Sequence, residues 1–336
     1  MHDRLAAGQD SGTHGLRKLR FTKMDITTIE EARTRIAPYV KRTPLERSEA
    51  LTQRIGSNVY VKYELFQKTG SFKARGAFNK MLTLSDEEKK RGVVAVSGGN
   101  HAQAVSFAAC VLGIDAVIVM PESTPKNYVA ATQGYGGTID LQPTMAAAFA
   151  EIERYKSAGR VFVHPFDDDL VEAGQGTVGL EILEDLPSVT DIVVSIGGGG
   201  LAGGVATAVK SKKPEVKVWG VETEGADAMT KALAAGHPVE LPAITSIAKT
   251  LGAPAVSPAT LALAQKYLES VTVVSDAEAV EALSFIFERL KVVTEPAASC
   301  TLVAAERLRS HFTPDSNVVL IFCGGNLSVK DLCSYL

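Results

Sequence analysis

No stretch of this chain stays apolar for the ~18 or more positions that a membrane-crossing helix requires. Nor does one sign of charge prevail: 35 Lys and Arg stand against 38 Asp and Glu in 336 residues, a formal net charge of -3. Without a basic face or an acidic tract, neither a nucleic acid nor an anionic membrane is expected as the main partner. Cysteine is scarce. Cys110, Cys300, Cys323 and Cys333 show no CxxC pairing and no metal-like spacing, which argues against a disulfide scaffold and leads us to expect a reducing, cytoplasmic setting. Internal repeats and low-complexity tracts are lacking as well. Residues 1–23 have no apolar core of the kind a secretion signal needs, although Arg17-Lys18-Leu19-Arg20 lies near their end. Asp3 and Asp10 weaken a transit-peptide reading. The segment is expected to be a disordered extension, with Met24 the more natural start.

What the chain does have is an alternation of strand and helix patterns separated by turns rich in glycine and aspartate. The strands at 116–120, 161–163, 218–221 and 318–322 are short and apolar on both faces, a pattern that suits parallel sheets covered by helices. Helix starts are legible at Ser85 with Glu88 and at Ser275 with Glu278, where the spacing fits a capping box, and at Thr124-Pro125. The length suggests about two domains.

Three segments carry chemistry. In Lys68-Thr69-Gly70-Ser71-Phe72-Lys73, a lysine stands where a β-branched strand (Val59, Tyr60, Val61) gives way to a helical pattern (Phe78, Met81, Leu82). Partly desolvated there, it loses proton affinity and becomes a usable nucleophile or base. The second segment, Gly197-Gly198-Gly199-Gly200-Leu201, follows the apolar strand Ile192-Val193-Val194 and precedes a helix. Its unobstructed N–H groups suit a phosphate. A dinucleotide fingerprint is the rival, but no acidic residue ending a second strand ~20 residues on stands out. The third, Ser97-Gly98-Gly99-Asn100-His101, is a turn before a helix closed by Gly113. It suits a small anion such as an amino-acid carboxylate. His101 in the first turn of a buried helix reads more readily as a structural hydrogen-bonding group than as a catalyst.

Taken together these segments resemble the fold type II pyridoxal phosphate enzymes, an α/β class related to the tryptophan synthase β chain. Within it the resemblance is to the serine/threonine dehydratases (ammonia-lyases) and serine racemase. The match runs collinearly from about Ile29 to Ser328. It includes Arg42-Thr43-Pro44-Leu45, Ala173-Gly174-Gln175-Gly176-Thr177, Thr294-Glu295-Pro296-Ala297-Ala298 and Cys323-Gly324-Gly325-Asn326. The segment Thr245-Ser246-Ile247-Ala248-Lys249-Thr250-Leu251-Gly252, with Lys249 where racemases and bacterial threonine dehydratases have aspartate, looks together with Cys323 more like the mammalian-type serine dehydratase. The resemblance implies a large cofactor-binding domain of residues 24–91 and 168–336, a small domain of 92–167, a cleft between them and a homodimer. As the chain ends ten residues after Asn326, no C-terminal regulatory domain is expected.

By the same resemblance Lys73 carries pyridoxal 5'-phosphate as an imine and Phe72 packs on its ring. Gly197, Gly198, Gly199, Gly200 and Leu201 hold the phosphate, Asn100 bonds the phenolic oxygen and Cys323 faces the ring nitrogen. Ser97, Gly98, Gly99, Asn100 and His101 take the substrate carboxylate, and Ser71 and Glu295 fall near the site. The implied reaction is β-elimination from L-serine, L-threonine or a related 3-hydroxy amino acid, giving a 2-oxo acid and ammonia. Serine racemase needs a second acid/base, supplied by a serine where this chain has Gly98. A non-catalytic amino-acid-binding protein would use the same cofactor-binding residues, whereas a β-replacement synthase is disfavoured by the match to dehydratases. For the family's cation site Glu222 and the Ala226 carbonyl match, but Ala228 replaces the acidic ligand and Asp227 is displaced by one position. Divalent metal is therefore expected to bind weakly or not at all.

Overall fold

Ten strands build two sheets among residues 24–335, which the computed structural model describes; the expected extension at 1–23 lies outside them. The strands are β1 (Leu45–Arg47), β2 (Asn58–Lys62), β3 (Val93–Val96), β4 (Ala116–Pro121), β5 (Thr138–Gln142), β6 (Val161–Phe162), β7 (Asp191–Ser195), β8 (Lys217–Thr223), β9 (Ser270–Val274) and β10 (Asn317–Ile321). The larger sheet has the order β1-β2-β10-β7-β8-β9 and the smaller the order β5-β4-β3-β6. Only β1 runs antiparallel to its neighbour. β3, β4 and β7 are buried along their whole length, as expected of parallel strands covered on both faces.

The strands of the smaller sheet all fall between residues 93 and 162, yet its core does not. Ile36, Phe78, Met81 and Val171 pack into one cluster with Val93, Ala95, Ile118 and Met120. The helix Lys73–Leu82, which starts at the candidate lysine, is thus shared by both halves of the molecule. Arg75, Glu64 and Lys62 are fully buried behind it. Arg75 makes two bonds of 2.8 Å to Glu64 and bonds of 2.6 and 2.9 Å to Glu181, while Lys62 Nζ lies 2.6 Å from Glu181. These bonds tie the Lys73 helix to β2 and to the helix Asp169–Asp185.

Local signals explain most helix ends. Ser85 with Glu88 and Ser275 with Glu278 form reciprocal capping boxes, and Gly113 ends the helix Asn100–Leu112 in the left-handed region. Pro125 differs by one position from the usual placement of proline in the first turn: it is the cap residue, at ψ 139, and the helix begins at Lys126.

Candidate active site

Lys73 is the first residue of its helix, and the loop before it is stitched to residues 323–326. Ser71 bridges Gly324, Phe72 N–H donates to the Cys323 carbonyl at 3.1 Å, and Gly325 N–H donates to the Gly70 carbonyl at 3.0 Å. The lysine and Cys323 therefore face one cleft, which Phe72, Phe166, Thr250 and the glycine turn at 197–201 also line. Lys73 Nζ donates to the Pro165 carbonyl at 2.6 Å and lies 5.0 Å from the centre of the Phe72 ring. Burial pushes its pKa down to about 8, against a smaller opposing effect of Cys323.

Across the cleft, the N–H groups of Gly197, Gly198, Gly199, Gly200 and Leu201 donate to no acceptor among the described residues. Gly199 has φ +96, a Cβ on Gly198 would meet the Phe166 ring at 2.2 Å, and a Cβ on Gly199 would meet Thr260 at 2.7 Å. Glycine is required on both counts. Five open donors at the start of the helix Gly200–Lys212 form a cradle that fits a phosphate group, with a reactive amine in the same cleft.

The turn at 97–101 closes another side. Ser97 Oγ accepts from Gly99 N–H at 3.1 Å, and the N–H groups of Gly98, Asn100 and His101 have no acceptor among the described residues. The His101 ring points away. Its Nε2 lies 2.8 Å from the Val163 carbonyl and must donate to it. Burial, then the nearby Lys73, push its pKa down to about 3, so the ring stays neutral. Asn100 Nδ2 donates to both oxygens of Glu295, at 2.9 and 3.1 Å, and its Oδ1 accepts from Asn326 Nδ2 at 2.8 Å. Glu295 also accepts from Thr250 Oγ1 at 2.6 Å and from Asn326 N–H at 2.8 Å. Burial raises its pKa, and these bonds pull it back. The Cys323 thiol is pushed well above its ordinary value by burial, and its hydrogen goes to the Ala297 carbonyl at 3.6 Å.

Phe72, Lys73, Gly197 to Leu201 and Cys323 therefore line one cleft, and the 97–101 turn adjoins it through Thr250, whose Cγ2 lies 3.5 Å from a Cβ built on Gly99 and which shares Glu295 with Asn100. Glu222 and Ala226 are not part of that lining. Burial raises the Glu222 pKa to about 7, and its oxygens accept from Met229 N–H, Thr230 N–H and Thr230 Oγ1 at 2.7 to 2.8 Å. This carboxylate is engaged by donors instead of standing open to a cation. Among the described residues no group of three or more His, Cys, Asp or Glu is placed to hold a metal ion. Phe166 is not singled out from the sequence, and Thr124 and Thr250 enter it only as a helix start and as part of the 245–252 segment, since no spacing assigns any of the three to the site. Thr124 Oγ1 lies 2.7 Å from a Cβ built on Gly98, and is buried without a partner among the described residues.

Two largely parallel sheets beside a cleft, with a half-buried lysine facing a phosphate cradle, define an enzyme architecture built around a phosphorylated carbonyl cofactor. A family model described as "Pyridoxal-phosphate dependent enzyme" matches residues 36–324, and the chain belongs to that family. It is 42% identical over 304 residues to an L-threonine ammonia-lyase of Thermotoga maritima, covering 90% of this chain and 75% of the relative. A catabolic L-threonine dehydratase of Staphylococcus aureus is 39% identical over 309 residues, with 90% and 88% covered. Among solved structures, maize serine racemase matches with a TM-score of 0.89 and 37% identity over 93% of this chain and 97% of that one. The processed form of threonine deaminase isoform 2 from Solanum lycopersicum matches at 0.87 and 33%, covering 92% and 86%.

Proposed function

We propose that the protein is a pyridoxal phosphate-dependent ammonia-lyase that eliminates the β-hydroxyl of L-serine, L-threonine or a related 3-hydroxy amino acid. The observation that carries this reading is the shared cleft of the Lys73 amine and five unpaired N–H groups at 197–201. The names of the relatives supply the reaction class. When bound, the cofactor supplies an electron-withdrawing ring next to the substrate's α-carbon. The chain's residues do the rest. The 197–201 turn anchors the phosphate, Phe72 flanks the ring, and the N–H groups of Gly98, Asn100 and His101 orient the substrate carboxylate. Lys73, whose proton affinity burial lowers, attaches the cofactor and then takes the α-proton on its freed Nζ. Release of ammonia and a 2-oxo acid, scored over a panel of 3-hydroxy amino acids, tests the assignment; no product from any of them would leave a binding protein as the better account.

The similarity to maize serine racemase favours a second reading. Gly98 bears on it, because a residue without a side chain offers no second proton. Incubation with L-serine is expected to give pyruvate with little D-serine. Chiral chromatography showing D-serine formed as fast as pyruvate would sink that expectation. Gly98→Ser alone meets the Thr124 hydroxyl, so racemisation should rise more in Gly98→Ser with Thr124→Ala than in the single variant. The four unpaired thiols support a reducing cytoplasm. The homodimer rests on the resemblance, and gel filtration with light scattering checks it.

A further inference from the structure

Hydrogen-bond polarity runs one way through the side chains that hold Asn100, and it starts at an atom that can only accept. The Thr69 carbonyl takes a 2.7 Å bond from Asn326 Nδ2, which leaves the Asn326 amide one admissible orientation. Its second hydrogen goes to Asn100 Oδ1 at 2.8 Å. That defines the oxygen end of Asn100, and its nitrogen end faces Glu295. Glu295 is pinned as an acceptor in turn, because Asn326 N–H and the Thr250 hydroxyl both donate to it. A lone amide could turn over freely. This one cannot, since turning it would set two donors together at one end and two acceptors at the other.

The fold maintains this arrangement at a cost. Thr69, a β-branched residue, sits strained at φ 60 in the left-handed region, and from there its carbonyl meets Asn326. Gly70 and Gly324 leave the room: a Cβ on Gly70 would come 2.5 Å from Asn326 Oδ1, and one on Gly324 would come 2.9 Å from Glu295 Oε1 and 3.0 Å from Asn100 Nδ2. Gly324 adjoins Cys323, which lines the cleft, so the Asn100 amide packs beside that lining.

We infer that Thr69, Asn326 and Glu295 are positioning residues that fix Asn100 as a hydrogen-bond donor, with one Nδ2 hydrogen directed to the ring oxygen of the cofactor. The near-equal distances to the two Glu295 oxygens suit one shared hydrogen, which leaves the other free. The inference rests on the proposed function, in which Asn100 meets that oxygen. An oxygen facing an N–H is held as an acceptor, so the network favours the ionised ring oxygen over the protonated one.

The test follows the visible absorbance of the reconstituted holoenzyme against pH in wild type, Glu295→Gln, Glu295→Leu and Asn326→Ala. Glutamine keeps an oxygen for Asn100 and Asn326 while its NH2 turns to the Thr250 hydroxyl, so this variant should titrate like wild type. Glu295→Leu and Asn326→Ala release the amide. In them the midpoint for protonation of the ring oxygen should rise by about one pH unit or more, with a new band at shorter wavelength. Circular dichroism establishes that each variant is folded; should Glu295→Leu not fold, Asn326→Ala decides. Folded variants that bind cofactor fully and titrate as wild type overturn the inference. Borohydride reduction that fixes the cofactor to a residue other than Lys73 overturns the proposed function instead, and the inference with it.

Discussion

At the scale of single residues, the reactive group is set by its surroundings more than by its type. A lysine amine must be uncharged to attack a carbonyl, and burial brings the Lys73 pKa to about 8. The neutral fraction therefore grows as pH rises through that value. Stopped-flow absorbance should show cofactor uptake by the cofactor-free protein accelerating through about pH 8, and Lys73→Ala should lose the visible absorbance of the bound cofactor and the elimination activity together. A uniform uptake rate from pH 6 to pH 10 (chosen to span about two units either side) would contradict the role of burial. Cys323 works in the opposite sense. Its thiol keeps its proton and gives it to the Ala297 carbonyl, so it has little to offer a ring nitrogen. Cys323→Ser should retain most activity. Cys323→Asp, whose carboxylate would pair with that nitrogen and favour its protonated form, should slow elimination and bring up a new transient band in rapid-scan spectra; unchanged kinetics and spectra would remove the thiol from the account.

At the scale of elements, the helix that begins at Lys73 is held by charge as well as by packing. Arg75, two residues on, is buried between Glu64 and Glu181. Burial alone would raise the Glu181 pKa, but Arg75 first and Lys62 next hold it below its ordinary value. The stabilisation is therefore present above the carboxylate's unfolded pKa and is lost as pH falls through the lower folded one. Arg75→Leu strands Glu64 and should cost ~3–5 kcal/mol, read as a lower midpoint in urea at neutral pH, with the gap to wild type narrowing in acid. Elements of this kind differ in how far the sequence discloses them. Strand runs such as Val93–Val96 and capping pairs such as Ser85 with Glu88 are local, so pattern and spacing suffice. So are Phe72-Lys73 and the glycine turn. The Glu295 cluster is not: Asn100, Thr250, Glu295 and Asn326 come from four distant segments, and only folding makes them neighbours. The Glu222 carboxylate is a similar case, because its donors belong to the start of the helix Ala228–Ala235, which no motif marks.

At the scale of the whole molecule, polar bonds join the two halves beside the cleft. Asn100 and Tyr128 come from the part that carries the smaller sheet, while Glu295 and Asn326 come from the part that carries the larger. The Tyr128 hydroxyl donates to the Asn326 carbonyl, and burial, with Glu295 and Asp331 nearby, raises its pKa, so it stays protonated and able to donate. Tyr128 reaches Asn326 only at its backbone carbonyl and has no bond to Lys73 or to the 197–201 turn. Its bond joins the two halves, and its loss is expected to let them separate more easily. A single neutral hydrogen bond contributes a net ~0.5–1.5 kcal/mol, so Tyr128→Phe should shift the balance toward an open form by up to about tenfold. If the closed form is the one that holds substrate, KM should rise within that range while kcat stays within about twofold, since Lys73, the proposed base, is untouched. Hydrogen exchange gives an independent reading, and in the variant the amides of the helix Lys126–Gly134 should exchange faster than those of the buried helix Pro296–Arg307. An unaltered KM together with unaltered exchange would show that the halves are held by their shared core around Phe78 and Met81, and that the Tyr128 bond follows closure without contributing to it.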